Sequence, residues 1–308
     1  MGDQATAWLD AHGDGATVVP HHDADGLAAG VLLARRARGG VLHVESPWSE
    51  PLPAVEAAVV ADWGVRPVQG PRTVLYVDHH AAPEAVDGVV VRPGGLQETS
   101  TSMLAWDLVG RPADGAWLAL LGAVGDLGDT AFALGLPAAG PKAGVRKLAT
   151  LVTAAGRVRG GPVPEAYDVL AGADGAREAL ADPACARLEE ARALAAAARV
   201  RAMRTAPVVG AEAALIRFSE PARVHPLVAT AWMRRLAPRV VIAANEGWRA
   251  GLVSFAVRSA DGRDLRRWLL DRFSPPTGAG DYARGHARAT GGALVPDAFE
   301  AFAEAALG

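Results

Sequence analysis

The sequence predicts an α/β protein, with a mostly parallel sheet flanked by helices, a long connecting helix and a smaller C-terminal α/β domain. Three observations predict it. The first two thirds of the chain alternate short apolar runs with helical stretches, the pattern of strands covered by crossover helices. Residues 186–205 are rich in Ala and Arg and hold neither Gly nor Pro, so they form a long helix ending near Ala206-Pro207. The charge changes sign at the same place: residues 1–206 carry 18 basic against 24 acidic side chains, net −6, and residues 207–308 carry 13 against 10, net +3.

Taken in order, Ala16–Val19 reads as the first strand and Leu27–Arg38 as the helix that follows it. Val41–Val44, Ala57–Ala61, Thr73–Val77 and Gly88–Val91 read as further strands. Thr99–Val109 and Ala116–Val124 read as helices, separated by the turn Gly110-Arg111-Pro112. Beyond the long helix, Ala213–Phe218, Val240–Ala244 and Leu252–Val257 are strand-like, with helices near Pro226–Leu236 and Asp264–Arg272. The expected organisation is a domain over 1–190, a connecting helix over 191–206 and a second domain over 207–308.

Composition narrows the function classes. With 50% hydrophobic and 21% charged residues in 308, the chain folds without staples. Cys185 is the one cysteine, which excludes an internal disulfide framework and any multi-thiolate metal site. No segment approaches the ~20 apolar residues of a membrane span. The N-terminus, Met1-Gly2-Asp3-Gln4-Ala5-Thr6, matches a short myristoylation pattern but lacks the basic-then-apolar order of a secretion signal, so a cytoplasmic, membrane-free protein is expected. No G-x-x-x-x-G-K-[ST] is present, which argues against a P-loop nucleotide triphosphatase. A net charge of −3 argues against a long basic track for polyanionic DNA.

Four segments at the ends of apolar runs carry the chemistry. In Pro20-His21-His22-Asp23-Ala24-Asp25-Gly26, alternate residues of an extended segment share a face, so His21, Asp23 and Asp25 project together. Two carboxylates and an imidazole suit Mn²⁺ or Mg²⁺, whereas a polar turn with Asp caps is the plainer alternative. Val59-Val60-Ala61-Asp62-Trp63-Gly64 delivers Asp62 to the carboxyl end of a strand, where open α/β sheets place their ligands. Thr73–Val77 runs straight into Asp78-His79-His80, a cluster costly to bury without a metal. Gly125-Asp126-Leu127-Gly128-Asp129 ends an apolar helix in carboxylates, which are disfavoured there unless something positive stands nearby.

Asp-x-Asp-Gly, strand-Asp-x-Gly, Asp-His-His and Gly-Asp, in that order, resemble the DHH phosphoesterase superfamily, which includes RecJ-type exonucleases, nano-RNA and pAp phosphatases and family II pyrophosphatases. The match covers residues 16–130 well and 131–206 by position. Arg284-Gly285-His286-Ala287-Arg288-Ala289-Thr290-Gly291-Gly292 is similar to the GGHxxAxGG signature of the DHH-associated C-terminal domain, with Arg284 in place of the first Gly. Val253–Ser259 resembles the strand that carries an Arg-Ser pair beside it, here Arg258-Ser259.

The resemblance implies an active site in the cleft between the two domains, holding two divalent ions, Mn²⁺ with Mg²⁺ as the alternative. It implies His21 and Asp23 on one ion, Asp25, His79 and Asp126 on the other, and Asp62 bridging. It implies His80 at the phosphoryl oxygen or in proton transfer, with Asp78 orienting a histidine. Arg258, Ser259, Arg284, Gly285, His286, Gly291 and Gly292 would bind substrate phosphate, the glycines as a nest of backbone N–H groups. Ser100, Thr101 and Ser102 would either donate to a phosphate or cap their helix.

The expected substrate is a short single-stranded oligonucleotide, cleaved by two-metal hydrolysis. A pAp phosphatase or cyclic-dinucleotide phosphodiesterase is the enzymatic alternative, and a catalytically inactive nucleic-acid-binding relative the non-enzymatic one. A monomer and a homodimer fit equally well. His12, His43 and His225 have no partners at ligand spacing and read as structural.

Overall fold

The structure, a computed structural model, describes residues 2–48, 51–80, 85–93, 99–136 and 140–308. The chain forms two compact units. The first comprises residues 1–156 and 160–192, the second residues 157–159 and 193–308; the division falls inside helix α8 (Cys185–Ala202), between Arg192 and Ala193. Among the described residues, no helix is long and apolar enough to cross a membrane.

In the first unit, β1 (Thr17–Pro20), β2 (Ala57–Ala61), β3 (Thr73–Val77) and β4 (Val89–Val91) form a parallel sheet in that order. All five residues of β2 are buried, which explains its unbroken apolar run: both faces are covered. Helix α1 (Gly2–His12) precedes β1, and α2 (Ala24–Ala37) follows it, buried along nearly its whole length. Then come α3 (Thr101–Leu108), α4 (Ala116–Leu127), α5 (Lys142–Ala155), α6 (Val163–Ala171) and the short α7 (Ala176–Ala179). One core of aliphatic and small side chains joins α2, α4 and α5 to the sheet.

The segment Val41–Val44 is not a strand. It makes one parallel bridge, with Val18 N–H donating to Gly40 O and Leu42 N–H to Val18 O. The next donor on β1 would be Pro20, which has no N–H, so the ladder stops.

The second unit is a mixed six-stranded sheet. Its strands are β5 (Val208–Val209), β6 (Ala213–Phe218), β7 (Val240–Arg249), β8 (Leu252–Arg258), β9 (Gly280–His286) and β10 (Ala289–Leu294). The order is β5-β6-β7-β8-β10-β9, with β6 and β7 parallel and the other pairs antiparallel. Helix α9 (His225–Met233) packs on one face over Val228 and Ala229. Helices α10 (Leu265–Arg272) and α11 (Pro296–Leu307) cover the other, where Trp268, Phe299 and Phe302 meet Phe255.

Candidate functional site

Because β1, β2 and β3 are parallel and in register, with Pro20 beside Ala61 and Ala61 beside Val77, the residues that follow them emerge at one sheet edge. Three backbone bonds carry the ladder one step further: His21 N–H to Ala61 O, Asp62 N–H to Val77 O and Asp78 N–H to Val91 O, at 3.0, 3.0 and 3.1 Å. Asp62 turns there with φ +67°.

Asp62 is the hub. Its Oδ1 lies 3.4 Å from His79 Nε2 and 3.8 Å from His80 Nδ1, and its Oδ2 lies 3.8 Å from His21 Nδ1. Asp23 Oδ2 is 2.9 Å from His21 Nδ1, while its Oδ1 caps α2 by accepting from Gly26 N–H at 3.0 Å. Among the described residues of the first unit, three groups each bring one ligand atom per residue within 4.8 Å of the others: His21, Asp23 and Asp62; Asp25, Asp62 and His79; and Asp62, Asp78 and His80. Asp62 belongs to all three.

His79 Nδ1–H donates to Thr99 O at 2.9 Å, which turns Nε2 toward the carboxylates, the way a metal-binding imidazole is usually held. Asp126 Oδ2 stands 3.0 Å from that nitrogen, so the acid at the end of α4 meets the positive partner it needs. Asp78 accepts from Gly64 N–H at 2.6 Å and from His80 N–H at 2.7 Å, and its Oδ1 is 3.2 Å from His80 Nδ1. This directs the His80 Nδ1–H onto Asp78 and leaves Nε2 as the basic nitrogen. Trp63 sets its ring edge-on to His21, centroids 4.8 Å apart, and also meets His22 at 5.6 Å.

Helix α3 sits on the site through its N-terminus. Thr101 and Ser102 N–H donate to Asp25 Oδ2 and Oδ1 at 2.7 and 2.9 Å, and Thr101 Oγ1 donates to Asp62 Oδ1 at 2.7 Å. Ser100 and Ser102 are fully buried. Their hydroxyls bond one another at 2.9 Å, Ser102 donates to Ala119 O, and Ser100 caps α3. The hydroxyls of Ser100 and Ser102, expected either to donate to a phosphate or to cap their helix, bond inside the protein, and the helix end grips carboxylates. Gly122 makes the grip possible, since a Cβ there would lie 2.2 Å from Ser102 Oγ and 2.5 Å from Asp25 Oδ1.

The electrostatics call for cations. Burial first, then the Asp126 charge, lift Asp25 from 3.8 to about 6. Burial together with Asp25, Asp23, Asp126 and Asp78 hold Asp62 well above its ordinary 3.8. Burial opposes a proton on His79, but Asp126 and Asp25 more than offset it and raise the group to about 9. Burial would raise Asp78 too, yet the bonds from His80 and Gly64 bring it below 3.8. A crowd of carboxylates with imidazoles aimed into it is a donor set for hard or borderline divalent ions, and the residues present fit such ions.

In the second unit, β10 lies between β8 and β9, so Gly291 and Gly292 pair with Ala256 and Phe255 inside the sheet. A Cβ at either would come within 2.2 Å of a neighbouring carbonyl oxygen. Gly291 and Gly292 thus permit close sheet packing, and the register against β9 shifts between Gly291 and Ala293. Arg284, Gly285 and His286 end β9 at a hairpin, with Gly285 at φ +96°. Arg258 donates through Nη1 to Val257 O and Thr290 O, and Ser259 Oγ bonds Asp261. Ser259 also lines a cavity of about 180 Å³ with Arg288 of the signature segment and with Arg234 and Arg263, which no motif singles out.

No protein-family model matches the sequence, and no curated protein sequence does. Solved structures do match. RecJ from Thermus thermophilus in complex with Mn²⁺ aligns with 99% of this chain and 54% of its own, at 20% identity and TM-score 0.69. The DHH domain of a member of the s1p family of ribosomal proteins aligns with 99% of this chain and 89% of its own, at 15% identity and TM-score 0.63. PggH, a pGpG-specific phosphodiesterase from Vibrio cholerae, aligns with 94% and 97%, at 17% identity and TM-score 0.52. The chain has the RecJ and DHH-domain fold.

Proposed function

We propose that the chain is a DHH-type phosphoesterase, dependent on divalent metal, that hydrolyses phosphodiester bonds of short single-stranded oligonucleotides. The observation that carries this reading is the convergence on Asp62 of acids and imidazoles from the His21–Asp25 and Asp78–His80 motifs, with Asp126 joined through His79. The RecJ-like fold supports it, and the Mn²⁺ in that RecJ structure supports manganese.

His21, Asp23 and Asp62 would hold one ion, and Asp25, His79, Asp126 and Asp62 a second. The chemistry that divalent ions supply at such ligands is an acidified bound water and neutralised phosphoryl oxygens. Thr101 holds the Asp62 carboxylate in one orientation, and Asp25 is fixed by the start of α3. Asp78 keeps His80 with its proton on Nδ1, so Nε2 serves to accept a proton in the reaction or to steady the phosphoryl group.

A second reading, linear dinucleotides, is favoured by the likeness to PggH. One assay separates the readings: purified protein with Mn²⁺ against pAp, cyclic di-AMP, pGpG, oligonucleotides of two to five residues and a 30-mer, with Asp62→Asn alongside. The expected outcome is fastest loss of the two- to five-residue chains and no turnover by the variant. Preferential loss of the 30-mer overturns the short-substrate choice, and turnover of pGpG alone establishes the second reading. No turnover of anything overturns the enzyme and leaves a binding module.

A further inference from the structure

Arg92 directly follows β4 and stands at the same sheet edge as the acids and histidines of the first unit. Val91 pairs with Val77, and Asp78 N–H donates to Val91 O at 3.1 Å, so Arg92 comes level with Asp78. Pro93 keeps the residue before it extended. Side chains alternate along both strands: Leu75, Val77, Val89 and Val91 pack into one core, and Tyr76 and Val90 into another. Continued one step, the alternation puts Asp78 and Arg92 on the face of Tyr76 and Val90.

The half-buried Arg92 guanidinium has one hydrogen bond among the described residues, from Nη2 to the main-chain oxygen of His80 at 2.9 Å. Its Nε is buried and has no hydrogen-bond partner. Among the described residues no carboxylate pairs with it, whereas Arg35, Arg36, Arg38, Arg72 and Arg111 of the same unit each pair with one. A guanidinium held this way is costly, and an anion is what completes it. The acids of the centre do not supply that anion. Asp62 extends β2, two strands away, which is roughly 10 Å at about 4.8 Å per strand. Asp78 is taken up by Gly64 and His80.

We propose that Arg92 binds a second phosphate of the substrate, the neighbour of the one that is hydrolysed. This deepens the phosphoesterase reading above and rests on it. His80 couples the two places: its imidazole, bonded to Asp78, lies 3.8 Å from Asp62 Oδ1, and its carbonyl holds Arg92. Because the guanidinium stands outside the carboxylate cluster, it meets a phosphate beside the one held there. Its fork of N–H donors suits the oxygens of a phosphate, and a fixed charge at that place selects chains with at least two phosphates over a lone diester.

The test is steady-state kinetics with Mn²⁺ on ApA, which has one phosphate, and on pApA and ApApA, which have two. Arg92→Gln should raise KM for at least one of the two-phosphate substrates about tenfold more than for ApA, as loss of a charge-assisted bond does. Arg92→Lys keeps the charge without the fork and should recover part of that difference. An equal penalty on all three substrates overturns the proposal and leaves Arg92 a brace for the His80 backbone; no penalty on any also overturns it. A second readout needs no turnover: fluorescence anisotropy of a 5′-phosphorylated adenosine trinucleotide with a 3′ fluorophore, bound to the Asp62→Asn chain with and without Arg92→Gln. Binding about tenfold weaker is expected in the double variant, and unchanged affinity overturns the proposal. If no substrate is hydrolysed, the catalytic reading fails by itself and the anisotropy still decides whether Arg92 binds phosphate.

Discussion

Raising the pH of the metal-free protein removes a proton that the first unit is built to hold. The His79 side chain is 6% exposed, and Asp126 and Asp25 together outweigh burial to place its proton loss at about 9, against an ordinary 6.5. That gap of about 2.5 pH units is worth about 3 kcal/mol at roughly 1.36 kcal/mol per unit. The folded value lies above the unfolded one, so the folded state binds more protons between the two. The contribution is therefore complete below about pH 6.5 and is lost as pH climbs to about 9. Urea unfolding of metal-free wild type and His79→Asn at pH 6 to 9.5 measures it. Wild-type stability should fall about 3 kcal/mol further than that of the variant across this range. Superimposed profiles would refute the reasoning. A divalent ion on Nε2 must displace the same proton, so Mn²⁺ affinity should rise about tenfold per pH unit until about pH 9.

Three further outcomes follow from particular contacts. Thr101→Val removes the 2.7 Å bond to Asp62 Oδ1 and should cost about 1.5–3 kcal/mol in urea unfolding, with Mn²⁺ affinity reduced in parallel. Gly122→Ala drives a methyl into Ser102 Oγ and Asp25 Oδ1; thermal melts should report a loss of about 1–3 kcal/mol. Asp78→Asn leaves His80 without its carboxylate partner, so the turnover rate should drop about 10–100-fold while Mn²⁺ binding, followed by calorimetry, changes little.

Much of the fold was legible because parallel strands buried on both faces read as plain apolar runs, as Ala57–Ala61 and Thr73–Val77 do. Val41–Val44 is apolar apart from His43, yet a proline on the strand beside it decides its fate, and that neighbour lies outside any local window. Helices α5, α6 and α7 carry no motif of their own, although Val145, Leu148, Val152 and Ala155 form a helical stripe in α5. The acids and histidines of the centre were legible because strand ends deliver them. For Ser100, Thr101 and Ser102 the sequence left helix capping and phosphate binding both open, since which way their helix start faces depends on the packing of α2, α3 and α4. Gly291 and Gly292 posed the same problem in reverse: glycines that suit an anion-binding loop also suit the middle of a tight sheet.

The left-handed backbone at Asp62 narrows what evolution or an engineer can put there. Glycine accepts that conformation but brings no carboxylate, and glutamate brings the carboxylate but resists the conformation, which costs an ordinary residue roughly 1–2 kcal/mol. Asparagine shares the tolerance of aspartate and differs only in its charge. Silencing the position with alanine would thus mix a folding defect into a chemical one, whereas the amide isolates the chemistry.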